Sequence, residues 1–165
     1  MNLSSLLKKQ WKLVLLLVVL LFVGAILAAT RIHPGYFAED KIAADTAEAL
    51  LIRRFNGQHF DAIYDSAADP FKTAQSREKV VAAMKEAFDL YGPITQDAGT
   101  ATTCFPQQVR MARWLRSGKG DDLTGMFIWY VADGQNAQLL LFRLVSGHSP
   151  VSSAVAEANR CDSHH

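Results

Sequence analysis

Residues 123–145, LTGMFIWYVADGQNAQLLLFRLV, place two long apolar runs on either side of Asp133-Gly134-Gln135-Asn136. Val, Ile, Trp, Tyr and Phe favour a pleated chain, and a polar, glycine-containing group between two such runs is a hairpin signal. A two-residue and a four-residue turn give the same register, because Ala132 faces Ala137 in both. One face of the hairpin then sets Phe127 opposite Phe142 and Trp129 opposite Leu140. The other sets Met126 opposite Arg143, Ile128 opposite Leu141 and Tyr130 opposite Leu139. Both faces are apolar, so both need cover. The aromatic face is assigned to helices of the same domain, where Phe127, Trp129, Leu140 and Phe142 line either a packed core or a pocket for an apolar ligand. The face with amphipathic tips, Met126, Ile128, Tyr130, Leu139, Leu141 and Arg143, is assigned to a partner. The alternative is that a further strand or residues 151–159 fold over it.

Working back from the hairpin, residues 94–104 and 108–116 alternate well enough to be strands, with a bend at Pro106. Before Ile94 the period is helical. Residues 41–55 put Ala43, Ala47, Leu50, Leu51 and Phe55 on one stripe, and Asn56-Gly57 supplies a left-handed stop. Residues 60–67 give a second helix, with Phe60, Ile63 and Tyr64 inward and a break at Asp69-Pro70. Ser76 caps a third, which buries Val80, Val81, Met84, Phe88 and Tyr91 and ends at Gly92-Pro93. The fold class is therefore α+β: three helices packed on a curved antiparallel sheet of about four strands, residues 41–146, with a tail over 147–165.

Residues 13–29, LVLLLVVLLFVGAILAA, form an unbroken apolar run. At 1.5 Å per residue it covers roughly 26 Å, close to the hydrocarbon thickness of a bilayer. Lys8, Lys9 and Lys12 precede it and only Arg31 closely follows, which places residues 1–12 in the cytoplasm and the domain outside it. Trp11, Tyr36 and Phe37 flank the run as interfacial aromatics do. The reading is a transmembrane helix over 13–30 and a linker over 31–40, in a bacterial inner membrane with a periplasmic domain. A cleaved signal peptide is the alternative, but the run is long for one and Ala28-Ala29-Thr30 is a poor cleavage site. Gly24 with Ala28, and Ala25 with Ala29, are small-x-x-x-small pairs that let another helix approach in lipid.

Beyond the run lie 14 Lys and Arg against 16 Asp and Glu, with all three remaining cations before it. This mild acidity excludes a broad nucleic-acid surface, and the local group Arg110, Arg113, Arg116, Lys119 reads as a solvated strand edge. Cys104 and Cys161 both fall in the exported part, where a pair is bridged more often than free; such a bridge stabilises by about 4 kcal/mol. The rival is a metal site of Cys161, His164 and His165, which lacks a fourth ligand for closed zinc. Neither Cys-x-x-Cys nor Cys-x-x-Cys-His occurs, so no metal, haem or other cofactor is expected.

The order of helix, Phe55-Asn-Gly-Gln-His-Phe-Asp-Ala-Ile-Tyr64, Phe71-Lys72, Ser76-x-Glu78, Gly92 and then long antiparallel strands resembles the nuclear transport factor 2-like, or cystatin-like, cone fold over residues 41–146. It is especially similar to small exported or membrane-anchored domains of that group. A more distant likeness is to the bitopic assembly component of type IV secretion machines, whose Asn-Pro-x-Gly signature is absent. The resemblance implies a fold that hosts enzymes, ligand pockets and assembly domains alike. Enzymes of the fold place carboxylates, histidines or tyrosines inside the cone. The candidates here, His59, Asp61, Tyr64, Asp65 and Tyr91, lie at helix ends, and the inward hairpin positions carry no acid or base. The expectation is a non-enzymatic, single-pass protein whose outer domain stabilises a larger inner-membrane complex, in secretion, respiration or photosynthesis, or pairs with itself. A membrane-tethered binder of an apolar ligand is the alternative.

Overall fold

The computed structural model describes residues 18–22, 36–132, 136–148 and 161. The chain divides into two compact units, Met1–Pro34 and Gly35–His165. In the first, residues 18–22 are helical, and Val18, Val19, Leu20, Leu21 and Phe22 are each between 51% and 69% exposed. No helix among the described residues is long and apolar enough to cross a membrane. The remainder of the apolar run, with Gly24, Ala25, Ala28 and Ala29, lies outside the described residues.

The second unit is α+β. Helices α1 (Tyr36–Asn56), α2 (Phe60–Asp65), α3 (Asp69–Ala74) and α4 (Arg77–Tyr91) are followed by strands β1 (Ile94–Phe105), β2 (Gln108–Ser117), β3 (Asp122–Val131) and β4 (Ala137–Ser146). The strands form one antiparallel meander in the order β1-β2-β3-β4, and the helices lie on the face that carries Val109, Met111, Leu115, Phe127 and Trp129. Among the described residues of this unit four helices stand where three are expected. Asp69-Pro70 does not break the chain but starts α3, because a proline in the first turn has no intrahelical N–H to lose.

Helix α1 is longer than its apolar pattern by a turn at its start. Its inward stripe is also rotated: Ala43, Ala44, Leu51 and Phe55 are buried, but so are Asp40 and Glu48, while Leu50 faces out. The left-handed residue after α1 is Gln58, at φ 57, and not Gly57. Asn56 does more than precede it. Its side-chain amide donates to the Ile94 carbonyl and its side-chain oxygen accepts from the Ile94 N–H, both at 2.8 Å, so it meets the first residue of β1 as a neighbouring strand would. Helix α4 stops at Gly92, φ 73, as its sequence implies.

Phe55 centres the core, edge-on to Phe60 at 5.7 Å, Phe88 at 5.7 Å and Phe142 at 5.9 Å. Phe127 stacks on Phe142 at 5.3 Å. Within the hairpin, Phe127 faces Phe142, Ile128 faces Leu141 and Met126 faces Arg143, as the turn argument requires. Past Ile128 the register shifts, so that Trp129 faces Leu139 and Tyr130 faces Gln138. A bulge gives one strand an extra residue and turns the following side chains to the opposite face. Leu139, expected on the outer face, is therefore 2% exposed inside the core, and Leu140 is displaced from its expected place opposite Trp129. Cys104 and Cys161 form a disulfide across 57 residues.

Candidate functional site

The outer face of the sheet retains four of the expected contact residues as one patch. Met126 is 45% exposed and pairs with exposed Arg143; Ile128 is half-buried and pairs with Leu141, 37% exposed. Tyr130 is half-buried beside them. The far end of this face is closed by the chain itself. His148 stacks on Trp114 at 4.8 Å, and the Thr124 hydroxyl donates to the Gly147 carbonyl at 2.7 Å. What stays open is the half near the bulge, where apolar side chains meet Arg143 on one side and Arg110, which pairs with Ile128, on the other.

Around Phe127 and Trp129 the inner face offers little room. Phe127 and Trp129 are buried, Phe142 packs partly against the core, and the cavity beside Trp129, between α1, α2 and Leu139, is about 100 Å³. Drug-sized pockets run from about 300 Å³ upward. Four of the five candidate acid–base residues, Asp61, Tyr64, Asp65 and Tyr91, are occupied as structural ties. Arg77 on α4 reaches Asp61 at 3.0 Å, bonds Asp65, and lies 5.0 Å over the Tyr64 ring. These bonds hold Asp65 below the ordinary carboxylate range and Arg77 above its own. The Tyr64 hydroxyl lies 3.1 Å from the Gln75 carbonyl, Tyr91 meets Ser146 at 3.0 Å, and His59 is exposed at the start of α2.

A second polar feature was not expected. Arg113 had been grouped with Arg110, Arg116 and Lys119 as solvated, yet it is 3% exposed. Strand parity explains it: Arg110 and Arg116 share the outer face, whereas Arg113 shares the inner one with Met111 and Leu115. Its Nε donates to Glu48 at 2.9 Å, one terminal nitrogen to the Thr102 hydroxyl at 3.0 Å, and the other to Asp45 at 3.0 Å. Lys41 completes the row, 2.9 Å from Asp45. Burial pushes the Glu48 carboxyl above its usual range, against the pull of Arg113. The group lines a cleft of about 340 Å³ with Gln96, beside the register shift of β1. The signal was present in α1, where Lys41, Asp45 and Glu48 recur at helical spacing on one face. Two cations against two carboxylates leave this cleft balanced, and all its strong donors are already engaged, so it serves to fasten α1 to the sheet.

Of the remaining cations, Lys119 donates to the Asp89 and Leu90 carbonyls at the end of α4, and Arg110 lies 4.8 Å over Phe105. No group of three or more potential metal ligands occurs among the described residues. Compared with known families, with curated proteins and with solved structures, the chain matches none.

Proposed function

We propose that the chain is a single-pass membrane protein whose outer domain docks onto other proteins of the same membrane and stabilises their assembly. The observation that carries this reading is the outer patch of Met126, Ile128, Leu141 and Arg143, an apolar surface rimmed by charge on a face whose far end is closed by the chain itself. The all-round exposed apolar side chains of residues 18–22 support a lipid-facing helix, since a helix apolar on every side needs a membrane or a large core around it. The disulfide supports an oxidising, extracytoplasmic location. The order of helices before a meander supports the cone-fold likeness. In this reading Gly24, Ala25, Ala28 and Ala29 contact a neighbouring span, and the domain carries no catalytic role.

Purification of the full-length protein in mild detergent tests the reading. Met126→Lys and Leu141→Lys should each strip the partner proteins while leaving the melting temperature of the domain unchanged. If both variants keep the partners of the parent, the outer patch is not the docking surface.

A further inference from the structure

The two edges of the sheet are finished differently. β1 is interrupted between Gln96 and Thr100 and is tied at Cys104 to Cys161. Among the described residues β4 is the other edge. Its Leu139 carbonyl accepts from the Ala68 N–H at 3.0 Å, which closes one end, but from Leu140 to Val145 its outward backbone meets no partner among the described residues. Beside this free stretch runs a groove of about 370 Å³, walled by Phe71, Val80, Ala83, Met84 and Ala87 against Leu140–Leu144. A long, apolar, unprotected edge strand is a template for another strand.

We infer that β4 pairs antiparallel with β4 of a second copy about a twofold axis at Phe142, joining the two sheets into one. An antiparallel edge is its own complement under a twofold. With the axis at Phe142, Arg143 of each copy faces Leu141 of the other, so no like charges oppose. An independent feature agrees on the same axis. Helix α4 follows β4 from start to end: the chain shortly before it meets the start of β4, where the Ala68 N–H bonds the Leu139 carbonyl, and its last residue, Tyr91, lies 3.0 Å from Ser146 at the end of β4. Four strand residues back from Ser146 to Phe142 span about 14 Å, which on a helix is about nine residues back from Tyr91, reaching Ala82–Ala83. Exposed Lys79 and Glu86 lie on the same helix face as Ala83, with Ala82 and Ala83 at their midpoint. They form no ion pair among the described residues. The twofold at Phe142 therefore brings Lys79 of each copy to Glu86 of the other and covers Leu90, which is exposed on that side. The pairing is independent of which membrane proteins bind the outer patch.

The test uses the full-length protein in detergent micelles, with mass read by sedimentation. The parent should be a dimer; Lys79→Glu or Glu86→Lys alone should weaken it about tenfold, and the double reversal should restore it. The restored double variant also shows that the singles fold. Mixed Leu141→Cys and Arg143→Cys chains should cross-link to each other in preference to themselves. A parent that stays monomeric, a double reversal as weak as the singles, or cross-linking without that preference overturns the pairing. A monomer that still co-purifies with its membrane partners overturns it as well, while leaving the docking reading intact.

Discussion

Helix α1 is held to the sheet in two ways along its length. Toward its end, Leu51 and Phe55 enter an aromatic cluster with Phe60, Phe88, Phe127 and Phe142. One to two turns earlier, buried Glu48 and half-exposed Asp45 reach buried Arg113. The aromatic end depends on volume and dryness, so it answers to what is inserted or hollowed out. The polar end depends on pairing, and removing one partner costs more than the pair contributes, because a buried charge is left behind. The same helix is thus fastened by a term that tolerates apolar exchange and by one that does not.

The largest effect should come from placing a charge at the aromatic end. Trp129→Lys is expected to abolish the cooperative melt, because desolvating an unpaired lysine costs several kcal/mol against a total stability of about 5 to 15; a folded variant would show that this end is wetter than its burial implies. Next is Arg113→Leu, which keeps volume but strands Glu48. A loss of about 3–5 kcal/mol in denaturant titration at neutral pH is expected, shrinking in acid as Glu48 takes up a proton. If the loss is absent, the polar end is not held by pairing.

Gly125 sits at the seam between the two ends, facing Arg113 across the strands. A Cβ there would come within 2.6 Å of Leu115 and 2.8 Å of the Phe127 ring. Gly125→Ala should therefore cost about 1–3 kcal/mol by overpacking, a cost that falls if Leu115 is shortened to Val in the same chain. The smallest effect distinguishes charge from geometry. Burial raises the Glu48 carboxyl, so the stability that its neutral form contributes is fully present below the unfolded-state value and is lost as pH rises through the folded one. Relative to the parent, Glu48→Gln should lose less stability as pH rises from below the ordinary glutamate range through the raised folded value. A thermal melt series that shows the opposite trend would mean that Arg113 outweighs burial.

The aromatic end was legible in the sequence, since Phe55, Val80, Met84, Phe127 and Trp129 announce themselves by period. The polar end was not. Hydrophobic periodicity scores Glu48 and Arg113 as surface; the parity of Arg113 with Met111 and Leu115, and the one-face spacing of Lys41, Asp45 and Glu48, are what betray an inward charge. Leu139 was misplaced for a different reason: alternation assumes an unbroken ladder, and LLL at 139–141 gives no sign of which leucine is the extra one. Asp69-Pro70 shows that a proline read as an end can equally be a beginning. Met126, Ile128, Leu141 and Arg143 keep the outer face that alternation gives them because all lie on the near side of the shift.

The clasp between Asn56 and Ile94 also sets how this protein ages. An asparagine followed by glycine loses its amide when the next backbone nitrogen attacks the side-chain carbonyl, and Asn56-Gly57 is such a pair. Here the Gly57 N–H is held by the Arg53 carbonyl at 3.0 Å, and both ends of the Asn56 amide are held by Ile94. The attack must wait for both to open. Once it occurs, the product carboxylate sets an oxygen against the Ile94 carbonyl where a donor stood, so the clasp that delayed the damage cannot re-form, and the chemical clock of the domain runs only for the fraction of time that α1 and β1 are apart.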